Sequence, residues 1–386
     1  MTGLGTNPDN FEKVLSGTIF YGSDDDGPEL ITGNVYIENG IICDIEEKGV
    51  PSPNWIVPRF VNAHTHIGDA VLKDPPLGDV CGACVRRDLD ALVRPPDGLK
   101  HRILDRTPPE YLIGAMEKAV NEMYYTGTGL FADFREGGAA GIRDLLKAYE
   151  QCHGDICPVI FGRPVGLYDS DDENGDKTAR IISSLREVLD LGSGAGISGS
   201  NDLDDYTLSK IRSRTALRKK MFAIHAGEKD PSDIRKSLDL DPDLLIHMTH
   251  ASAADLDEAA AKNIPIVVCP GSNFVTGAGR APIADMIDAG LCVGVGTDNV
   301  MLNAPDMFAE MRLLSKVFGL SDKTVFRMCT ANGAKALKCG FTGAIDIGLK
   351  ADLMVLNARS PNLSNTADPL AGFVRRARAD DIIGIL

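Results

Sequence analysis

The sequence predicts an α/β fold in which a (β/α)8 barrel carries a small β domain built from both ends of the chain. Three observations lead there. From Ile56 onward, apolar β-rich runs alternate with amphipathic helical stretches, which is the pattern of βα units and a parallel sheet. Eight such runs can be counted, the number that closes a barrel. The first 55 residues and the last 42 share a different texture, short strands separated by turn residues.

The elements follow in order. "FEKVLSGTIFYG", "ELITGNVYIENG" and "IICDIEE" read as hairpin strands, with an Asn-Gly turn signal at Asn39-Gly40. The barrel strands are expected at 55–66, 127–136, 156–164, 195–200, 220–228, 243–251, 264–272 and 291–299. A helix should open at Thr107, with Pro108 and Pro109 in its first turn and Glu110 at the capping-box position, and end at Gly127. Another should start on Ser252 as N-cap and stop at Asn263. Strand character returns in "AIDIGLKADLMVLN" and at Ile382–Leu386. The expected domains are therefore 1–55, 56–344 and 345–386, the outer two forming one β unit.

Bulk properties exclude several functions. The 386 residues are 44% hydrophobic, enough for a large core, and the formal charge is −15. A nucleic-acid binder would carry a basic patch, and no Lys/Arg run supplies one. No apolar stretch is long enough to span a membrane. Nine scattered cysteines, several in apolar runs, suit a reducing compartment, so a cytoplasmic protein is expected.

The chemistry lies in the histidines. "FVNAHTHIGD" puts His64 and His66 two apart at the end of an apolar strand, where both rings project to one side. Five of the seven histidines, His64, His66, His225, His247 and His250, fall at C-terminal ends of expected strands. In a barrel those ends open on one face. A lone strand-end histidine is ordinarily a satisfied structural residue, and Asp298 or Glu228 alone would read as a helix cap or a loop residue. Their joint placement points to a metal site instead. Three imidazoles and a carboxylate leave a position open for water and lower its pKa from about 15.7 towards about 7. Hydroxide can then attack an electron-poor carbon, Glu228 can shuttle the proton to the leaving group, and His247 can polarise the water.

These residues carry a resemblance. "NAHTH" (62–66), "HAGE" (225–228), "LLIHMTHAS" (244–252), "VVCPGSNFVTGAGRAPIADMIDAG" (267–290), "VGVGTDN" (293–299) and "GLKADLMVLN" (348–357) resemble, in this order and over nearly the whole chain, the amidohydrolase superfamily. The likeness is to the branch with cytosine deaminase, guanine deaminase, S-adenosylhomocysteine deaminase and atrazine chlorohydrolase. It implies a distorted (β/α)8 TIM barrel with a small β-sandwich domain formed by both chain termini. It implies that His64, His66, His225 and Asp298 are metal ligands, that Asp298 is also catalytic, that Glu228 is the proton shuttle and His247 the catalytic histidine. Binuclear members carry a bridging lysine on the fourth strand; "AGISGS" has none, so one divalent ion is expected, zinc or iron(II) with zinc preferred. The HxxE pair at His225 and Glu228 resembles members that remove ammonia from aminated rings.

The leading expectation is thus a metal-dependent deaminase acting on a purine, pyrimidine, nucleoside or pterin. Such relatives form homo-oligomers, and a dimer or larger is expected. The alternatives are a cyclic amide hydrolase or chlorohydrolase on the same scaffold, or a metal- and ligand-binding barrel without turnover; the last has no need of a proton shuttle. Glu136, Arg163, Asn273 and His250 are expected to contact substrate. The segment 67–104, rich in Pro, Gly and Asp, lacks the Trp of nucleoside-deaminating relatives and is expected to form a lid or rim. Its Cys81 and Cys84 form a lone C-x2-C, a weak metal signal.

Overall fold

The computed structural model describes residues 12–22, 27–78, 86–169 and 177–386; Cys81 and Cys84 lie outside the described residues. Four strands open the chain, β1 (Lys13–Tyr21), β2 (Glu29–Glu38), β3 (Ile41–Glu47) and β4 (Asn54–Pro58). The Asn-Gly turn forms as expected: Asn39 and Gly40 take φ of 51° and 71°, and Glu38 pairs with Ile41 across them. With β14 (Leu353–Asn357) and β15 (Ile382–Ile385) these strands make a six-stranded sheet in the order β15-β14-β4-β1-β2-β3. Its far edge meets the chain ahead of β14, where Ile42 donates to Leu349 O and Ala351 to Gly40 O, both near 2.9 Å. The expected β-sandwich is thus one sheet curled over a core of Ile19, Val35, Ile42, Ile56 and Leu353.

The barrel strands are β5 (Phe60–His66), β6 (Thr128–Arg135), β7 (Cys157–Gly162), β8 (Gly194–Ile197), β9 (Met221–Ala226), β10 (Leu244–His247), β11 (Ile266–Val268), β12 (Val293–Val295) and β13 (Asp298–Asn299). All pair in parallel, in the order β12-β11-β10-β9-β8-β7-β6-β5-β13. The last two are one expected strand, broken at Gly296-Thr297: its first half pairs with β11, its second with β5. The break closes the barrel. Asn62 spans it with a side-chain amide, Nδ2 donating to Thr297 Oγ1 at 2.8 Å and Oδ1 accepting from Thr297 N at 3.0 Å. Gly296 permits the approach, since a Cβ there would stand 2.6 Å from His64 Cβ.

The run 55–66, expected as a single barrel strand, divides into β4 and β5, so Ile56 and Val57 bond within the terminal sheet. Arg59 makes the division. It is fully buried between the sheets, and its guanidinium reaches Asp352 Oδ1 at 3.1 Å, Asp155 O at 2.6 Å and Thr128 O. A buried charge has to be met in this way, and meeting it fixes the terminal sheet onto the barrel floor.

The outer helices pack as their periodicity requires. Helix Pro109–Tyr125 buries Met116, Ala119, Val120 and Met123 against Ile142 and Leu145 of helix Gly138–Glu150. Each of the larger side chains, Met116, Val120 and Met123, contributes roughly 1.5–3 kcal/mol by burial. The capping box expected at Thr107 does not form: Pro108 occupies the cap position and Thr107 Oγ1 donates to Ile103 O instead. Ser252 caps helix Ala253–Ala261 as expected, in a box with Asp255. No helix among the described residues is long and apolar enough to cross a membrane.

Candidate active site

β5 ends on His66, and both its imidazoles are buried at the mouth of the barrel. β9 contributes His225, and β13 begins at Asp298, whose φ of 63° turns the chain sharply after the break. His64 Nε2 lies 3.3 Å from His225 Nε2 and 3.3 Å from Asp298 Oδ1; His66 Nε2 lies 3.6 Å from the same oxygen. Two groups of ligand atoms, His64–His66–His225 and His64–His247–Asp298, each fall within 4.8 Å, and both contain His64.

The tautomers decide what this cluster is for. His66 Nδ1 faces Phe134 O at 3.0 Å and His225 Nδ1 faces Ile197 O at 2.9 Å. A carbonyl only accepts, so each Nδ1 carries the proton and each Nε2 is a bare lone pair. Burial also keeps His64, His66 and His225 below the ordinary imidazole range, His66 at about 3. Asp298 is held well below the ordinary carboxylate range; burial opposes its charge, and the imidazoles of His64, His247 and His66 outweigh burial. Its second oxygen accepts from Ser272 Oγ at 2.7 Å. The Nε2 lone pairs of His66 and His225 and the Asp298 carboxylate converge beside His64, and such lone pairs repel unless a cation takes them up. The donor set fits a divalent ion, with outer hydrogen bonds that orient each ligand.

Beside the cluster, the sequence His225-Ala226-Gly227-Glu228 turns back on itself. Gly227 has φ of +60° and its N–H donates to Asp233 Oδ1 at 2.8 Å. The turn brings Glu228 Oε2 to 3.5 Å from His247 Nε2. Burial pushes the Glu228 carboxyl up to about 7. His247 ends β10 with φ of 74°, and its Nδ1 is buried without a protein hydrogen-bond partner. Either tautomer is therefore open to it.

His66, His225, Glu228, His247 and Asp298 line a cavity of about 170 Å³. Arg163, Lys100, Ser198, Asn201 and Asp202 form part of its wall. Of the four residues expected to contact substrate, Arg163 alone lines the cavity. Glu136 stands behind His66, 3.1 Å from its Nδ1, in a charge cluster with Lys100 and Arg135. Asn273 is buried and donates to Thr249 Oγ1, because helix Pro270–Thr276 turns its neighbour Ser272 towards Asp298 instead. His250 is exposed outside the wall and bonds to Ala278 O at 2.9 Å. Lys100 and Ser272 were not singled out from the sequence. Ser272 lay one residue from a chosen candidate; Lys100 carried no local signal.

The site lies at the C-terminal ends of parallel barrel strands, with a neutralisable carboxylic acid beside a cluster that could hold a cation, an arrangement suited to metal-assisted hydrolysis. The chain belongs to the amidohydrolase family, whose profile matches residues 55–384, and is a hydrolase acting on carbon–nitrogen bonds. An uncharacterized protein of Methanocaldococcus jannaschii is 32% identical over 393 residues, covering 96% of each chain. A 5-methylthioadenosine/S-adenosylhomocysteine deaminase of Pyrococcus horikoshii is 30% identical over 398 residues, 92% of this chain and 87% of that one. The crystal structure of an adenosine deaminase from Xanthomonas campestris with bound zinc shares the fold, with a TM-score of 0.78 at 19% identity over 97% of this chain and 91% of that one.

Proposed function

We propose that the protein is an aminohydrolase with a single divalent metal, zinc before iron(II), that releases ammonia from an aminated aromatic heterocycle of the purine, pyrimidine, nucleoside or pterin kind. The observation that carries this reading is the placement of Glu228. Its carboxyl, raised to about 7, faces the same opening as His66 and His225, whose Nε2 atoms carry free lone pairs. A divalent ion held by His64, His66, His225 and Asp298 would acidify a water towards neutral pH. The chain does the rest. Glu228 takes a proton from the attacking water as the water's oxygen bonds to the ring carbon, then delivers it to the departing nitrogen as the C–N bond breaks. His247, 3.5 Å from Glu228, orients the attacking oxygen or meets the charge that develops on it. Asp298 Oδ1 completes the donor set while Ser272 holds its other oxygen.

Arg163 is the residue proposed to face the rest of the substrate. It is 7% exposed, lines the cavity, and its Nε is buried without a hydrogen-bond partner. A guanidinium so placed suits a carboxylate, phosphate or carbonyl substituent. The relationship to the Pyrococcus horikoshii deaminase supports the class of reaction. The test is ammonia release by metal-loaded protein from a panel of aminated bases, nucleosides and pterins. Ammonia from one class, abolished by Glu228→Gln, is the expected result. Chloride from a chlorinated triazine, or a ring-opened acid from a cyclic amide, with no ammonia from any member, overturns it.

A further inference from the structure

Lys100 sits on the short helix Leu99–Leu104, in the stretch expected to form a lid or rim, and is only 3% exposed. An ammonium buried so deeply must be met by acceptors. Its Nζ pairs with the Glu136 carboxylate, 2.7 Å from Oε1, and donates to Asn299 Oδ1 at 3.1 Å, with Asp69 Oδ2 at 3.9 Å. Each of the first two acceptors is one contact from the donor cluster. Glu136 Oε1 lies 3.1 Å from His66 Nδ1, and Asn299 Nδ2 donates to Asp298 Oδ1 at 2.9 Å. Glu136 also has Arg135 against it and Arg163 at 3.9 Å, so its charge is met without Lys100. What Lys100 alone provides is the link between Glu136 and Asn299, which lie on different strands' ends and serve different ligands.

We infer that Lys100 is a positioning residue of the metal centre: by bridging Glu136 and Asn299 it sets the ring of His66 and the carboxylate of Asp298 together, and so ties the rim to the donor set. The inference rests on the reading that His64, His66, His225 and Asp298 hold a divalent ion. Outer hydrogen-bond partners of metal ligands matter because they fix the direction of a lone pair; losing one typically costs about 10- to 100-fold in metal affinity or activity.

The experiment uses the full chain loaded with Co2+, whose visible absorption reports ligand geometry. Lys100→Met keeps the stem and removes the ammonium. It should change the Co2+ spectrum, weaken Co2+ binding about 10- to 100-fold, and lower kcat with KM kept within about threefold. Ethylammonium added to Lys100→Ala should restore part of the wild-type spectrum. A Lys100→Met protein with the wild-type spectrum and affinity overturns the inference, as does a variant in which only KM rises, since that would make Lys100 a substrate contact. If Lys100→Met does not fold, Lys100→Gln keeps a polar head without the charge: a changed spectrum supports the inference and an unchanged one overturns it. Failure of the wild-type chain to take up Co2+ removes the reading of the site and the inference with it, whereas a normal wild-type site beside an indistinguishable Lys100→Met removes the inference alone.

Discussion

Glu228 Oε2 stands 3.5 Å from His247 Nε2, and neither belongs to the group His64–His66–His225 that faces them. The distance is long for a hydrogen bond and short enough for a water or a substrate atom to be shared between the two. That separation of roles leads to the first prediction. Glu228→Gln keeps size and polarity but cannot move a proton. Metal content should stay at the wild-type stoichiometry while kcat falls by about 10²–10⁴-fold, the usual worth of a general acid–base group. Elemental analysis beside an ammonia assay reads both quantities. A variant that loses its metal would make Glu228 a ligand, and its role as proton carrier would be wrong.

The second prediction concerns the closure of the barrel. Asn62 is wholly buried and makes two hydrogen bonds across the break in the eighth strand, to Thr297 N and Thr297 Oγ1. Asn62→Ala leaves a buried N–H and a buried hydroxyl without their partner, a loss on the order of 2–4 kcal/mol. Asp298 follows Thr297 directly, so metal affinity should fall in the same variant. Denaturant midpoints of the apo protein and a metal titration check the two halves. Unchanged affinity at reduced stability would mean that Asp298 is positioned by Ser272 and His64 without help from the closure.

Much of this site was legible in the sequence because its signals are local. His64 and His66 share a face through a two-residue spacing that any strand enforces. His225 and Glu228 sit on one turn that Gly227 makes possible. Other parts were not legible because they depend on where distant segments meet. Nothing around Lys100 announces that Glu136 and Asn299 converge on it. The division of 55–66 depends on Arg59 finding Asp352, nearly three hundred residues away. His250 satisfied the strand-end rule, yet β10 stops at His247 and the chain turns outward before residue 250 is reached. Asn273 and Ser272 were one residue apart and equally plausible by composition; a helical turn of about 100° per residue chose between them.

A third prediction follows from a buried acid outside the reaction. Glu310 is 1% exposed, accepts from Asn303 Nδ2 at 2.8 Å and from Gly271 N at 3.0 Å, and burial pushes its carboxyl up to about 7. In the unfolded chain the same group titrates near 4.5. Between these values the unfolded state releases the proton and the folded state keeps it, so this residue's contribution to stability falls as pH rises. Above about 7 the loss is constant, on the order of 3 kcal/mol. Glu310→Gln has no proton to lose. Its stability relative to wild type should rise between pH 5 and pH 8 and then level off, as read from paired denaturation curves. Parallel curves at all pH values would show that the folded carboxyl ionises normally.

The last prediction separates two residues that the sequence placed in the same role. Arg163 and His250 were both expected at the substrate. The structure puts the guanidinium of Arg163 in the cavity wall and the imidazole of His250 outside it, against Ala278 O. A hydrogen bond from a charged group to a substrate is worth about 1.5–3 kcal/mol, which corresponds to roughly 10- to 150-fold in binding. Arg163→Met should therefore raise KM for a substrate with an anionic substituent by at least about tenfold, with little change for the same ring lacking that substituent. His250→Ala should leave kcat/KM within about twofold for both, because it removes only an exposed bond to a carbonyl. Steady-state kinetics on a matched pair of rings, one bearing a carboxylate or phosphate and one not, decides the matter. Equal losses on both rings in Arg163→Met would assign Arg163 to holding Glu136 rather than substrate. A large loss in His250→Ala would mean that the 248–251 turn moves inward when substrate binds.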